Sequence, residues 1–86
     1  SINLKKQVKS LSECTQEILD LYAIAFEEKN IQVRTEFEKD DFVEIDVNMI
    51  KRVIANLLDN AVKYTPDNGE ILITTWQSGL SCSLSV

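Results

Sequence analysis

Three polar side chains interrupt the most apolar helical pattern of the sequence. Asn56 and Asn60 lie four residues apart, and Lys63 follows three residues later. Since a helix advances about 100° per residue, these three share one stripe, which Tyr64 flanks on the apolar side. Asparagine is a poor helix former, and each one costs a helix roughly a few tenths of a kcal/mol relative to alanine. A contact made by the stripe would offset this cost.

Amide oxygens and a lysine on one stripe suit a magnesium ion and a phosphate. An amide carbonyl is a hard, neutral oxygen ligand, and Mg²⁺ takes few protein ligands because it keeps several waters and binds phosphates. Lys63, near the end of the same side, can neutralise a phosphate oxygen as a point charge. Spacing alone is a weak signal and favours the other interpretation, an ordinary solvated helix face. Solvation does not explain Asn60, which borders the apolar side.

The stripe lies on a predicted helix over residues 46–64. Its apolar positions recur every three or four residues and form one broad arc. The arc comprises Ile50, Val53, Ile54, Leu57, Leu58 and Ala61. Asp46 stands where a side-chain oxygen caps the first amides of the helix. After Thr65, Pro66 ends the helix because it has no N–H to donate.

Shorter patterns predict the remaining elements. Ser10 and Glu13 have the spacing of a capping box and open a helix over 11–29, which Asn30 ends in the left-handed conformation. A turn at 38–41 and a hairpin turn near the C-terminus separate short alternating or apolar runs. These runs predict strands at 2–8, 31–37, 42–45, 70–76 and 80–86. The order predicts an α+β, two-layer α/β sandwich with two helices on one face of a mixed sheet.

Charge and composition exclude several classes of protein. The net charge is −5, and nine Lys and Arg are scattered among fourteen acids, so no basic face is available for nucleic acid. No apolar run approaches the roughly 18 residues of a membrane span, and we expect a soluble, cytoplasmic chain without direct membrane contact. Cys14 and Cys82 have no histidine or further cysteine as a co-ligand. We expect buried free thiols in a reducing compartment, with a disulfide bond or a metal site as the alternatives.

One long motif resembles a known family. The segment NLLDNAVKYTPDNGEI, with Asp46 ten residues before it, closely resembles the N-box of the sensor histidine kinases of two-component systems. The segment LSECTQEILDLYAIAFEEKNIQV resembles the first helix and the next strand of their catalytic ATP-binding domain, and FVEID resembles the segment before the N-box helix. The resemblance covers essentially all of residues 1–86. It implies a GHKL-type ATPase fold, in which residues 1–10 form a linker or an edge strand.

The resemblance also implies roles for the polar stripe. Asn60 would be the Mg²⁺ ligand, and Asn56 a supporting polar contact near the metal and the phosphates. Lys63 would contact a phosphate, and Tyr64 would form a wall of the nucleotide pocket. The cofactors would be ATP and Mg²⁺, and the reaction would transfer the γ-phosphoryl group to a histidine. That histidine lies on a separate dimerisation domain, and this domain and a response regulator would be the partners.

The residue type at position 56, here Asn56, distinguishes two reaction classes within the superfamily. Related ATP hydrolases carry a glutamate one turn before the metal-binding asparagine, where this sequence has Asn56. An amide cannot take a proton from water, so glutamate-driven hydrolysis is disfavoured. The resemblance therefore favours a kinase, in which phosphoryl transfer depends on positioning and charge stabilisation.

Several family segments are missing from the sequence. In the family, the strand that matches LSCSLSV leads into an Asp-x-Gly-x-Gly segment, a lid and a glycine-rich phosphate loop, whereas this chain has only Gly69 and Gly79 and no histidine. We expect roughly the first half of a catalytic domain, with weak nucleotide binding and no phosphotransfer of its own.

An incomplete domain of this kind would expose an apolar edge at its last strand. We expect the chain either to self-associate through that edge or to be unstable. The edge includes Leu80, Cys82, Leu84 and Val86. Two other interpretations stay open: a shortened ATPase-like module that docks on a kinase or a response regulator without nucleotide, and a structural protein whose N-box resemblance is accidental.

Overall fold

The computed structural model describes residues 5–39, 42–77 and 79–85, and for residues 84 and 85 it describes the backbone only. The elements follow in the order β1 (Lys6–Ser10), α1 (Leu11–Glu28), β2 (Gln32–Phe37), β3 (Phe42–Asp46), α2 (Val47–Tyr64), β4 (Glu70–Trp76) and β5 (Gly79–Ser85). The predicted order of helices and strands is confirmed. The first strand extends to Ser10, two residues further than predicted, and its predicted start at residues 2–4 lies outside the described residues.

The five strands form two sheets. The strands β2, β4 and β5 make a mixed sheet in which β2 runs parallel and β5 antiparallel to the central β4. The strands β1 and β3 form a separate antiparallel pair, with Lys6 opposite Asp46 and Ser10 opposite Phe42. The α+β class with two helices on a mixed sheet is confirmed, but the strands do not all belong to one sheet. The strand β3 leads directly into α2, so the pair of β1 and β3 lies at the start of that helix.

The helix α1 has the predicted caps and an unbalanced charge. The backbone N–H of Glu13 donates to the Ser10 hydroxyl at 3.2 Å, and Asn30 adopts a φ of 53° after the last turn. Five of the fourteen acidic residues of the chain lie on α1, and none of its nine basic residues does. The rest of the chain therefore holds nine acidic and nine basic side chains, and the net charge of −5 belongs to α1.

The helix α2 begins at a side-chain cap. The Asp46 carboxylate accepts the backbone N–H of Met49 at 3.0 Å and that of Lys5 at 3.1 Å. These N–H groups stabilise the ionised form and lower the pKa of Asp46 below its usual value. The cap therefore satisfies amides that have no partner within the helix.

The predicted apolar arc of α2 is buried only in part. Ile54 and Leu58 are each 1% exposed and pack with Ile71 and Ile73 of β4 in the core. Val53 lies on the same arc but is 44% exposed, because it faces away from the mixed sheet. The buried part of α2 thus attaches the helix to the sheet, and a second side stays open to solvent. Among the described residues, neither helix has the length and apolar character needed to cross a bilayer.

Candidate functional site

The polar stripe predicted on α2 is exposed to solvent. Asn56, Asn60 and Lys63 are all exposed, and the Tyr64 side chain is 72% exposed at the last residue of the helix. Because Leu58 on the other side is fully buried, the rotation of α2 about its axis is fixed. The four residues therefore lie on the solvent side of a rigidly packed helix.

A shallow groove of about 180 Å³ runs along this side of α2. It is lined by Leu57, Asn60, Ala61, Tyr64 and Cys82. Asn60 and Tyr64 supply its polar atoms, and the other three side chains form an apolar floor. Asn56 and Lys63 lie outside the lining. The structure thus brings two of the four predicted residues into one concave surface and places the other two beside it.

Three lining residues, Leu57, Ala61 and Cys82, are not among the predicted site residues. Leu57 and Ala61 belong to the predicted apolar arc, and Cys82 to the predicted buried thiols; Ala61 is buried, whereas Leu57 and Cys82 are half-buried. Burial raises the pKa of the Cys82 thiol above its usual value, so this side chain acts as an apolar wall. The period-2 alternation of β5 could have indicated Cys82, because it puts Leu80 and Cys82 on the face that packs toward the helices.

The ammonium group of Lys63 is only weakly paired. Its Nζ lies 3.9 Å from the Asp59 carboxylate, and both side chains are more than half exposed. Such a pair contributes little because water screens it. Burial raises the pKa of the Tyr22 phenol on α1, and the nearby Asp59 carboxylate raises it further. Asp59 therefore interacts with Tyr22 of α1 as well as with Lys63.

The helix α1 supports α2 from the side opposite the groove. The Tyr22 hydroxyl donates to the Ala55 carbonyl at 3.2 Å, and Lys51 forms an ion pair with Glu17 at 3.0 Å. Ala55 lies about 140° around the helix from Asn60. The links to α1 thus hold α2 without occupying its open side.

The groove residues fit a magnesium nucleotide better than a metal held by the protein alone. Within the described part of the chain, no group of three or more His, Cys, Asp or Glu side chains could hold a metal ion. A single exposed amide beside an apolar floor suits an ion that takes most of its ligands from phosphates and water. Tyr64 and the floor offer apolar surface to a base or a ribose.

A larger cleft of about 470 Å³ lies at the other end of α2. It is bordered by Lys5, Gln7, Lys9, Asp46, Val47 and Asn48. The Asp46 carboxylate there already accepts two backbone N–H groups, and the floor is polar rather than apolar. Volume alone would select this cleft, but its chemistry is that of a helix cap.

Comparisons with known proteins identify the relatives of this chain. No family model matches it. It is 43% identical to the adaptive-response sensory kinase SasA of Synechocystis sp. over 65 aligned residues. The alignment covers 74% of this chain and 17% of SasA. The nucleotide-free catalytic domain of the histidine kinase ThkA superposes with a TM-score of 0.78 at 34% identity, over 81% of this chain and 49% of that domain.

A second solved structure contains a partner protein. The histidine kinase ThkA in complex with the response regulator protein TrrA superposes with a TM-score of 0.74, over 80% of this chain and 21% of the kinase. The chain thus spans less than a fifth of the SasA kinase that it matches and about half of the solved catalytic domain. By sequence and by fold, this chain belongs to the two-component sensor histidine kinases, as part of their GHKL-type catalytic domain.

Proposed function

We propose that this chain forms the Mg²⁺ and phosphate side of the ATP site in a cytoplasmic sensor kinase domain. The observation that carries the proposal is the open side of α2, where Asn60 and Tyr64 line one groove and Asn56 and Lys63 are exposed beside it. Homology to histidine kinase catalytic domains supports the use of ATP and Mg²⁺. We further propose that residues 1–86 belong to one such domain, in which residues 1–10 are a linker or an edge strand that leads into it.

Each side chain of the stripe has a separate role. The Asn60 amide oxygen holds the magnesium ion, and Asn56 is a second polar contact one turn earlier. Lys63 neutralises phosphate charge, which its long and exposed pair with Asp59 permits. Tyr64 and the apolar floor exclude water from one side of the nucleotide. When bound, Mg²⁺ offsets the charge that develops on the transferred phosphoryl group.

The reaction is transfer of the γ-phosphoryl group to a histidine of a dimerisation domain, followed by signalling to a response regulator. The amide at Asn56 supports this choice over hydrolysis, because it cannot accept a proton from water. The response regulator bound to the related kinase ThkA supports a partner of the same class for this chain.

Binding of ATP tests the proposal most directly. In the complete polypeptide that carries this sequence, Asn60→Ala should abolish the magnesium-dependent part of ATP binding, measured by titration with a fluorescent ATP analogue with and without Mg²⁺. Asn48→Ala is the matched control, since Asn48 is an exposed asparagine of the same helix that lies outside the groove. Unchanged Mg²⁺-dependent binding in Asn60→Ala would refute the assignment and favour a docking module without nucleotide.

The 86 residues alone should bind nucleotide weakly and transfer no phosphoryl group. The groove is shallow and open, and the sequence holds neither a glycine-rich phosphate loop nor a histidine. In the described residues β5 pairs with β4 on one side only, which leaves an edge for self-association. Monomeric behaviour with cooperative unfolding at about 100 µM, a demanding concentration for an open edge, would contradict this expectation. So would tight ATP binding by these residues alone.

A further inference from the structure

The last turn of α2 has a carbonyl that its own helix cannot satisfy. In an α-helix each carbonyl accepts the N–H four residues later. The Ala61 carbonyl follows this rule and accepts the Thr65 N–H at 3.1 Å. The next carbonyl, that of Val62, would need the N–H of residue 66, which is a proline and has none. Pro66 therefore ends the helix and also removes a hydrogen-bond donor from its last turn.

A lysine from the other helix supplies the missing donor. The Lys29 Nζ donates to the Val62 carbonyl oxygen at 2.6 Å, across 33 residues of sequence, in a partly buried position. Lys29 is the C-cap residue of α1. Its charge also lies at the negative end of the α2 dipole, where a cation is favourable. One side chain thus satisfies the carbonyl and offsets the partial charge of this helix end.

The residues around Lys29 also hold the segment after α2. The Lys29 carbonyl accepts the Asn68 N–H at 2.8 Å, and the Asn30 side-chain amide donates to the Asn68 side-chain oxygen at 2.7 Å. Both asparagines are in the left-handed region, with φ of 53° and 67°. Residues 29 and 30 therefore hold both the end of α2 and the turn that follows it.

We propose that Lys29 is a positioning residue of the nucleotide site. It replaces the N–H that Pro66 lacks and keeps the last turn of α2 helical, and that turn carries Lys63 and Tyr64. Without this bond the turn frays, because its carbonyl is left to water and the neighbouring side chains lose their fixed direction. Asn60, one turn further in, keeps its place. This inference rests on the proposed function and extends it to a residue that faces away from the groove.

Nucleotide affinity should depend on Lys29 more than on a comparable lysine. Lys51 is the matched control, since it also joins α2 to α1, through Glu17, but outside the last turn. Lys29→Met should weaken Mg²⁺·ATP binding by the complete polypeptide about tenfold, as expected for loss of a hydrogen bond to a charged group. Lys51→Met should weaken it about twofold or less, because exposed ion pairs contribute little. The KM for ATP should rise, and the phosphorylation rate at saturating ATP should stay close to that of the wild type.

Restoring the donor separates positioning from general stability. Lys29→Arg should retain the affinity, because it keeps a donor for the Val62 carbonyl. Pro66→Ala returns an N–H to residue 66, which reaches that carbonyl once Thr65, extended in the wild type, becomes helical; the double variant Lys29→Met, Pro66→Ala should then recover most of the lost affinity. Amide hydrogen exchange should show lost protection at Lys63, Tyr64 and Thr65 in Lys29→Met and regained protection in the double variant. If Lys29→Met does not fold, the double variant carries the test by itself, with near wild-type affinity expected.

Several outcomes would overturn the inference. Equal losses of affinity in Lys29→Met and Lys51→Met would show a general effect of loosening the two helices. A loss of affinity in Lys29→Arg as large as that in Lys29→Met would show that a donor to the Val62 carbonyl is irrelevant. If Asn60→Ala leaves ATP binding unchanged, the proposed function fails, while hydrogen exchange at the last turn still reports on the Lys29 bond.

Discussion

The two ends of α2 are stabilised in different ways. At the first turn, Asp46 caps the helix from within the same stretch of chain, three residues from the amide it accepts. At the last turn, the donor is Lys29, 33 residues from the carbonyl that it binds. The first end depends on local sequence, and the second depends on how α1 packs. The proposed phosphate and nucleotide contacts Lys63 and Tyr64 lie at the second end.

The two ends of α2 also differ in whether their polar side chains form hydrogen bonds. The Asp46 carboxylate accepts two backbone N–H groups. The Thr65 hydroxyl at the other end is buried, and it has no hydrogen-bond partner in the described part of the chain. A buried hydroxyl without a partner costs stability. The end that carries the proposed site is thus the less optimised one, which fits a helix terminus selected for position as well as for stability.

The largest expected effect is a loss of stability that both ends of α2 share. Ile54 lies in the middle of α2, is 1% exposed and packs in the core. Ile54→Ala should lower the free energy of unfolding by about 2–5 kcal/mol, because it leaves a cavity under the whole helix. Amide exchange should then accelerate at both ends together. Accelerated exchange at one end only would mean that the ends unfold independently.

A smaller effect is expected from the turn after α2. Asn68 has a φ of 67° and accepts the Asn30 amide. Asn68→Ala should lower the free energy of unfolding by about 1–2 kcal/mol, since alanine disfavours the left-handed region and removes the acceptor. Asn68→Gly is the control, because it loses the acceptor but tolerates the φ, and should cost less. Equal losses in urea unfolding would mean that the backbone conformation carries no cost.

The stability of the first turn of α2 depends on Asp46. Asp46→Ala should lower the Tm by about 4 °C through loss of the N-cap, and exchange should accelerate in the first turn of α2 but not in the last. The cap should also depend on pH. The folded pKa of Asp46 is below its unfolded value, so its stabilisation is complete above about pH 4 and is lost as the pH falls through the folded pKa. An acid titration that is identical in wild type and Asp46→Ala would disprove this linkage.

The smallest expected effect is a gain in the free energy of unfolding. Thr65→Val keeps the shape of the side chain and removes the buried hydroxyl, so it should raise the free energy of unfolding by about 0.5–1 kcal/mol. Thr15→Val is the contrasting control, because the Thr15 hydroxyl donates to the Leu11 carbonyl at 2.8 Å and its loss should destabilise. A loss of stability in Thr65→Val would indicate that the hydroxyl has an unrecognised partner.

The sequence predicted those features that depend on residues close together in the chain. The Ser10 and Asp46 caps, the left-handed Asn30 and the hairpin of β4 and β5 all follow from spacing and residue type. The open side of α2 with Asn60 at its border also follows, because helical periodicity fixes which side chains share a face. The family assignment agreed with these features because its N-box motif is long.

The remaining features depend on long-range packing, which periodicity does not report. The pairing of β1 with β3 crosses α1 and β2, and it could not be distinguished in advance from membership of one sheet. The exposure of Val53 depends on what packs beside the first half of α2, where it lies next to Ile45 of β3. The Lys29 bond could have been suspected from Pro66, since the missing N–H leaves Val62 in need of a donor, but the sequence does not name the donor.

The concentration of the net charge on α1 has a consequence for ionic strength. Helix axes in contact are about 8–10 Å apart, and α1 packs on the side of α2 opposite the groove, where one of its acidic side chains, Glu17, is paired with Lys51. At about 0.15 M salt the Debye length is about 8 Å, so the groove is largely screened from these carboxylates. At about 0.01 M it is about 30 Å, and the same carboxylates repel any anion that approaches α2. Lys63 acts at contact distance and is less affected, so dilution of salt changes the long-range repulsion more than the local attraction.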